Sequence, residues 1–337
     1  MKKQMNAYEI TCDGGIETLR SNQREIPSLT PNSVLVKIRA NSINYRDLMT
    51  IKDPVSRAIT FPRIPNSDGS GEVIAVGENV SEFKTGDRVV GAFFESWESG
   101  NITQGAMTSA RGGAAEGLLC EYAVSPECGL VLVPDHLSFM EASTLPCAGV
   151  TAWHALVEKG CVKAGDTVLI IGTGGVSLFA LQFAILHGAK VILVSSSDEK
   201  IRSAKKLGAW EGINYSQTKD WHNAVCELTA GGVDHVVETG GPGTLPQSIE
   251  ATRLGGHIWL IGVLTQGQMD PINIMRKSIH VQGIYVGHRS MFKSMNSAIA
   301  ANKLHPVIFE SFGYAMAKQA YLLMESATHF GKIVIDM

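Results

Sequence analysis

The stretch Thr167–Ile171, followed by Gly172-Thr173-Gly174-Gly175-Val176-Ser177, constrains the fold more than any other part of the chain. A continuous β-branched and apolar run predicts a strand buried on both faces of a parallel sheet. Beyond the glycines, Val176, Phe179, Ala180, Phe183, Ala184 and His187 fall at i, i+3, i+4, i+7, i+8 and i+11, one apolar helical face. Gly188 ends that helix, and Lys190–Val194 reads as the next strand. A second helix, Asp198–Leu207, is capped by Ser197 or Asp198 and closed by Gly208. Strand-like runs recur at Val233–Glu238, His257–Ile261 and His280–Ile284, with helical stretches between them. This alternation calls for right-handed crossovers and a doubly wound parallel sheet, an α/β fold.

The first third has a different texture. Short runs at Val34–Ile38, Glu72–Val76 and Arg88–Val90, with turn signals at Gly77–Asn79 and Thr85–Asp87, predict a small irregular β-domain. Residues 96–117, rich in Gly and Ser, read as a long surface loop, and the tail from Arg289 as one helix and a closing strand, Lys332–Ile335. A chain of 337 residues exceeds what one hydrophobic core usually serves, so two domains are expected. A net charge of −3 gives no footprint for nucleic acid or an anionic membrane surface. No apolar run approaches the roughly 20 residues of a membrane helix, and polar sequence follows Lys2 and Lys3 where a signal peptide would be apolar. A cytoplasmic protein is expected. The six cysteines are scattered without a C-x-x-C pair, which favours reduced thiols over a disulfide framework.

A glycine turn between a buried strand and a helix is a phosphate cradle, because backbone N–H groups and the positive end of the helix dipole face the anion. Gly172, Gly174, Gly175 and Val176 would line it; Ser177 stands where Gly or Ala is usual and is small enough to serve. The end of the second strand selects the nucleotide. An NAD site wants a carboxylate there for the ribose hydroxyls. This chain offers Ser195, Ser196 and Ser197, then Lys200, which suit a phosphomonoester of about −1.5 to −2 charges and hence NADP(H). Asp198, the one objection, reads as a helix cap.

These features, together with Asn44-Tyr45-Arg46-Asp47, Asp68-Gly69-Ser70-Gly71, Gly86-Asp87-Arg88-Val89 and His329-Phe330-Gly331-Lys332, make the chain resemble the medium-chain dehydrogenase/reductases from end to end. Within them it looks like the zinc-independent branch related to quinone oxidoreductases. The resemblance implies a GroES-like β-domain (1–148), an inserted Rossmann NADP-binding domain (149–284), and a return to the first domain (285–337). It also implies cofactor contacts: Thr151, Ile284 and Tyr285 near the nicotinamide, Gly262, Val263 and Leu264 beneath it, Lys200 and Tyr215 at the 2′-phosphate, and Lys332 at the phosphates. Zinc-bearing relatives ligate their ion at positions matching Asn44, Ser67 with Asp68, and Cys147, and this chain lacks most of those ligands. Tyr215 and Lys219 spell Y-x-x-x-K, the proton-transfer pair of short-chain dehydrogenases, but Tyr215 closes a short strand, Ile213–Tyr215, instead of projecting from a helix with Lys219.

Without zinc to stabilise an alkoxide, alcohol oxidation is difficult, whereas a conjugated carbonyl spreads the charge that hydride brings. Asn44 and Tyr45 are therefore the candidate catalytic pair, with Tyr45 able to donate a hydrogen bond or proton. The expected function is NADPH-dependent reduction of a quinone or α,β-unsaturated carbonyl, with that small molecule as the partner and a homodimer as the working form. Two alternatives stand beside it: alcohol or aldehyde oxidoreduction, and a non-catalytic NADPH-binding sensor or structural protein.

Overall fold

In the computed structural model, which describes residues 3–262 and 264–337, the chain forms two units, Met1–Val150 with Gly287–Met337, and Thr151–Val286. The first unit opens with an antiparallel pair, β1 (Gln4–Ile10) and β2 (Leu19–Glu25). Its main sheet contains β3 (Ser33–Ile43), β4 (Asp68–Val76), β5 (Arg88–Gly91), β6 (Tyr122–Pro126), β7 (Leu130–Leu132), β14 (Ile308–Gly313) and β15 (Lys332–Asp336). The order is β14-β15-β3-β4-β5-β7, with β6 also paired to β3. Strand β3 is the hub: Val34, Val36, Ile38 and Ile43 join Ile333 and Ile335 in one buried cluster.

Two expectations need correcting here. The tail holds two α-helices, Arg289–Asn302 and Ala317–Ser326, and two strands rather than one of each. Strand β14 is half-exposed and lies at the edge of the sheet, so it carries no clean alternation to announce it. Residues 96–117 are not a free surface loop. Arg111 within them is buried, with its guanidinium on Glu95 (2.8 Å), Ser125 Oγ (2.8 Å) and Ala92 O (3.1 Å). One arginine satisfying that many acceptors lets a Gly-rich segment pack with little regular structure beyond the short helix Gln104–Met107.

The second unit is a six-stranded parallel sheet of β8 (Thr167–Ile171), β9 (Lys190–Ser195), β10 (Glu211–Asn214), β11 (Val233–Glu238), β12 (Thr252–Leu260) and β13 (His280–Gly283). The order β10-β9-β8-β11-β12-β13 reverses direction at β8, creating a topological switch point beside its carboxyl end. Strand β12 begins at Thr252, earlier than the sequence predicts, because its first residues pair irregularly with β11. No helix among the described residues is long and apolar enough to cross a membrane.

On one face of this sheet His235, His257 and His280 are register neighbours on adjacent strands, their rings stacked at 5.4 and 5.0 Å. Burial holds His235 and His257 below the usual imidazole range; Asp166, 3.3 Å from His235 Nε2, opposes this only in part. Below about pH 6.5 the unfolded chain therefore binds more protons than the folded one, and stability falls as pH drops. A urea midpoint that declines from pH 7 to pH 5, with a shallower decline in His235→Gln, is the expected result.

Candidate active site

The first unit brings together a group of polar side chains at the end of β3. Asn44 immediately precedes helix α1 (Tyr45–Lys52), and its N–H donates to the Asp47 carboxylate at 2.9 Å, fixing the first turn. Tyr45 is thereby placed at the first helical position. It is more than one-third exposed, and its hydroxyl makes no hydrogen bond among the described residues. Asp68, the first residue of β4, is fully buried. It accepts from Ser67 Oγ (2.8 Å), Ser42 Oγ (3.4 Å) and the Cys147 N–H (3.3 Å).

Lys332 departs from the sequence expectation. The resemblance sends it to the cofactor phosphates; the structure buries its ammonium within the first unit. It donates to Ile43 O at 2.9 Å and Asn44 Oδ1 at 2.5 Å, and stands 3.9 Å from Asp68 Oδ2. An ammonium out of water needs acceptors and a counter-charge, and this corner supplies both. The contact also orients the Asn44 amide: its oxygen faces the lysine, and its nitrogen faces Ser67 Oγ at 3.4 Å. Burial raises the Asp68 carboxyl above the usual carboxylate range, and the Lys332 charge pulls it back. Burial likewise pushes the Cys147 thiol well up, so it is neutral.

In the second unit the glycine turn follows β8 directly. Gly172 has a left-handed φ of +77°, and a Cβ at Gly174 would meet nothing within 4 Å, leaving open space above the start of helix Gly175–Leu186. Val176 lies in the first turn of that helix, and Ser177 Oγ donates to Ile171 O at 2.9 Å, so the serine seals helix against strand. Ser195 ends the next strand and Ser196 follows it, and the Tyr215 N–H donates to Ser195 O at 3.1 Å, bringing the two neighbouring strand ends together. Tyr215 starts the turn after β10 rather than closing the strand, and Lys219 lies in the same non-helical segment. Ser197 caps the helix that carries Lys200: its hydroxyl accepts the Lys200 N–H at 3.3 Å. Burial lowers the Lys200 ammonium below its ordinary range. Asp198 is not the cap; its carboxylate holds Asn214 (2.7 Å) and Gln217 (2.9 Å).

Thr151 is buried, Gly262 follows β12, and Leu264 and Tyr285 are exposed. Ile284 is buried just past β13, its N–H on Leu260 O at 3.0 Å. Val263 lies outside the described residues. Sequence reasoning missed Ser42 and the interior position of the Lys332 ammonium, which no local pattern encodes. It also missed Glu238, although a carboxylate ending the fourth strand before Thr239-Gly240-Gly241-Pro242-Gly243 was a readable signal.

Residues 30–135 match the family model described as alcohol dehydrogenase GroES-like domain, and residues 175–301 that described as zinc-binding dehydrogenase. A Schizosaccharomyces pombe protein named as zinc-type alcohol dehydrogenase-like is 44% identical, with 96% of each chain covered. The quinone oxidoreductase of Sus scrofa is 27% identical over 99% of this chain and 98% of that one. A crystal structure of an NAD-dependent alcohol dehydrogenase, 32% identical, superposes with a TM-score of 0.91 over 99% of this chain and 100% of that one. The chain belongs to the medium-chain dehydrogenase/reductase superfamily and is an oxidoreductase.

The two groups that this family implies can be tested against the residues present. A nicotinamide dinucleotide fits: strand order, glycine turn and open cradle are those of a dinucleotide fold. Zinc does not. Catalytic zinc takes three ligands from Cys, His, Asp or Glu. Here an amide, two hydroxyls, one carboxylate and a neutral thiol surround or adjoin an ammonium. Among the described residues no three His, Cys, Asp or Glu groups could hold a metal ion.

Proposed function

We propose that this chain uses NADPH to reduce quinones or α,β-unsaturated carbonyls, without a catalytic metal. The reading is carried by one observation: Asn44, Ser67 and Asp68 are organised around the Lys332 ammonium, and the next residue, Tyr45, is exposed with a hydroxyl that makes no hydrogen bond among the described residues. Bound NADPH would supply hydride to the conjugated carbon. The protein's task is then to meet charge arriving on the acceptor oxygen, which delocalises into an enolate or phenolate. Tyr45 can donate to that oxygen, while Lys332 and Asp47 keep the Asn44–Tyr45 turn in place. The edge strand β13 is the surface through which a homodimer would form.

Alcohol or aldehyde oxidoreduction is a second reading, favoured by the names of the yeast relative and the dehydrogenase structure. The two separate in one comparison on protein of measured metal content: quinones and enones with NADPH against simple alcohols with NADP⁺. The conjugated acceptors should turn over faster. Faster alcohol oxidation, or stoichiometric zinc retained through dialysis, would overturn the proposal.

Ser195, Ser196, Lys200 and Tyr215 support NADPH over NADH. A charge-assisted hydrogen bond to the 2′-phosphate is worth about 1.5–3 kcal/mol, or roughly tenfold and more in affinity. Lys200→Ala should weaken NADPH by that factor and leave NADH nearly unchanged in a calorimetric titration. Equal losses would show that Lys200 does not read the phosphate.

A further inference from the structure

Glu238 ends β11 at the carboxyl edge of the parallel sheet and is fully buried. Its Oε1 accepts from the N–H groups of Gly240 (2.8 Å) and Gly241 (3.1 Å) and from the Thr244 hydroxyl (2.6 Å); Oε2 accepts from the Ser248 hydroxyl. None of these partners is a cation, so the carboxylate serves as an acceptor hub for the loop Thr239–Gly243. The Glu238 carbonyl meanwhile accepts the N–H groups of Ile261 and Gly262, each at 2.9 Å. One residue thus holds the loop after β11 by its side chain and the loop after β12 by its main chain.

Two threonines complete the lock. Thr265 reaches Gly240 O through its N–H (3.1 Å) and its hydroxyl (3.0 Å), and that hydroxyl accepts from the Gly243 N–H (2.7 Å). Thr239 Oγ1 donates to Ile171 O at 2.6 Å, tying the same loop to the residue before the glycine turn. The packing leaves no slack: a Cβ on Gly262 would lie 1.6 Å from Thr239 O. Three carboxyl-end loops, after β8, β11 and β12, are therefore interlocked.

In a sheet wound both ways from a central strand, a dinucleotide lies across the carboxyl ends with one nucleotide over each half. On that reading the glycine turn would face the pyrophosphate, and the Ser195–Tyr215 side the adenosine. The loops after β11 and β12 remain for the other half. We propose that Glu238 is a positioning residue for the nicotinamide half of the cofactor, acting through Thr239–Gly243 and Gly262. This inference rests on the dinucleotide reading given above.

Calorimetric titration of the full chain with NADPH and with 2′-phospho-ADP-ribose, which lacks nicotinamide, tests it. Glu238→Ala should bind NADPH roughly tenfold or more weakly, because two backbone donors lose their acceptor. Its affinity for 2′-phospho-ADP-ribose should stay within about threefold, well under the roughly tenfold step that one lost anchor brings. Glu238→Gln should restore NADPH binding, since its oxygen can serve the two N–H groups and a hydroxyl can turn to accept from its NH₂. Thr244→Val, which removes one anchor, should show a smaller loss confined to NADPH, and it decides the matter if the alanine variant does not fold. Equal losses for both ligands, unchanged NADPH binding in Glu238→Ala and Thr244→Val, or a glutamine variant as weak as the alanine one would each overturn the role of Glu238. Wild-type protein that binds neither ligand would instead refute the dinucleotide reading itself.

Discussion

Replacing Lys332 by methionine is expected to destabilise the protein by about 3–5 kcal/mol, the usual cost of breaking a buried ion pair from one side. Methionine fills similar space and stays apolar, so lost packing contributes little. The cost arises at Asp68, which is fully buried and already shifted upward by desolvation, with the Lys332 charge the first force opposing that shift. Without the ammonium, Asn44 Oδ1 and Ile43 O also lose their donor. The thermal midpoint should fall by about 10 °C, given roughly 2–4 °C per kcal/mol in a unit of this size. The deficit should shrink in acid. A carboxyl whose folded pKa lies above its unfolded value is stabilising when protonated, and that stability is lost as pH rises through the folded pKa. The variant should therefore lie closer to wild type at pH 5 than at pH 8, and Lys332→Met with Asp68→Asn should recover most of the loss. A single variant as stable as wild type at pH 8 would mean that the pair contributes nothing.

Tyr45→Phe is expected to lower kcat on the best quinone or enone by about 10²–10³ if the phenol acts as an oxyanion donor. A hydrogen bond that strengthens as charge develops acts in the transition state, so kcat should fall more than KM rises. The ring remains, and the backbone contacts that begin α1 do not involve the phenol oxygen, so the thermal midpoint should hold. A loss under about threefold would assign Tyr45 to lining the site rather than to chemistry.

In the second unit β8, β11 and the helix Gly175–Leu186 were legible because each is a continuous apolar or periodic run with glycine close to at least one end. Strands β8 and β11 fall where the sequence puts them, and Ser197 caps its helix. The first unit was harder to read. Strand β14 is an edge strand with little burial, and the segment around Arg111 is held by one guanidinium rather than by backbone pattern. The glycine turn and the 2′-phosphate candidates could be read locally, since they occupy consecutive strand ends. The Lys332 network could not. Its members are drawn from β3, β4 and β15, and a lysine beside a glycine reads equally well as a surface cation. Only the pairing of β15 with β3 brings Lys332 to Asn44.

That pairing sets an order of events during synthesis. Thr151–Val286 is one continuous segment, and every strand of its sheet is available once Gly283 has emerged from the ribosome. The first unit must wait, because Ile43 of β3 pairs with Ile333 of β15, which lies beyond the whole of the second unit in the chain. Long-range pairing of this kind is slow to form, and domains generally fold as units during synthesis. The nucleotide-binding half should therefore mature first, and a chain truncated before Lys332 should retain its fold while β3 remains an exposed edge. In such a chain Asp68 has no lysine to meet, so the corner of Asn44, Asp68 and Lys332 closes only after the parallel sheet is complete.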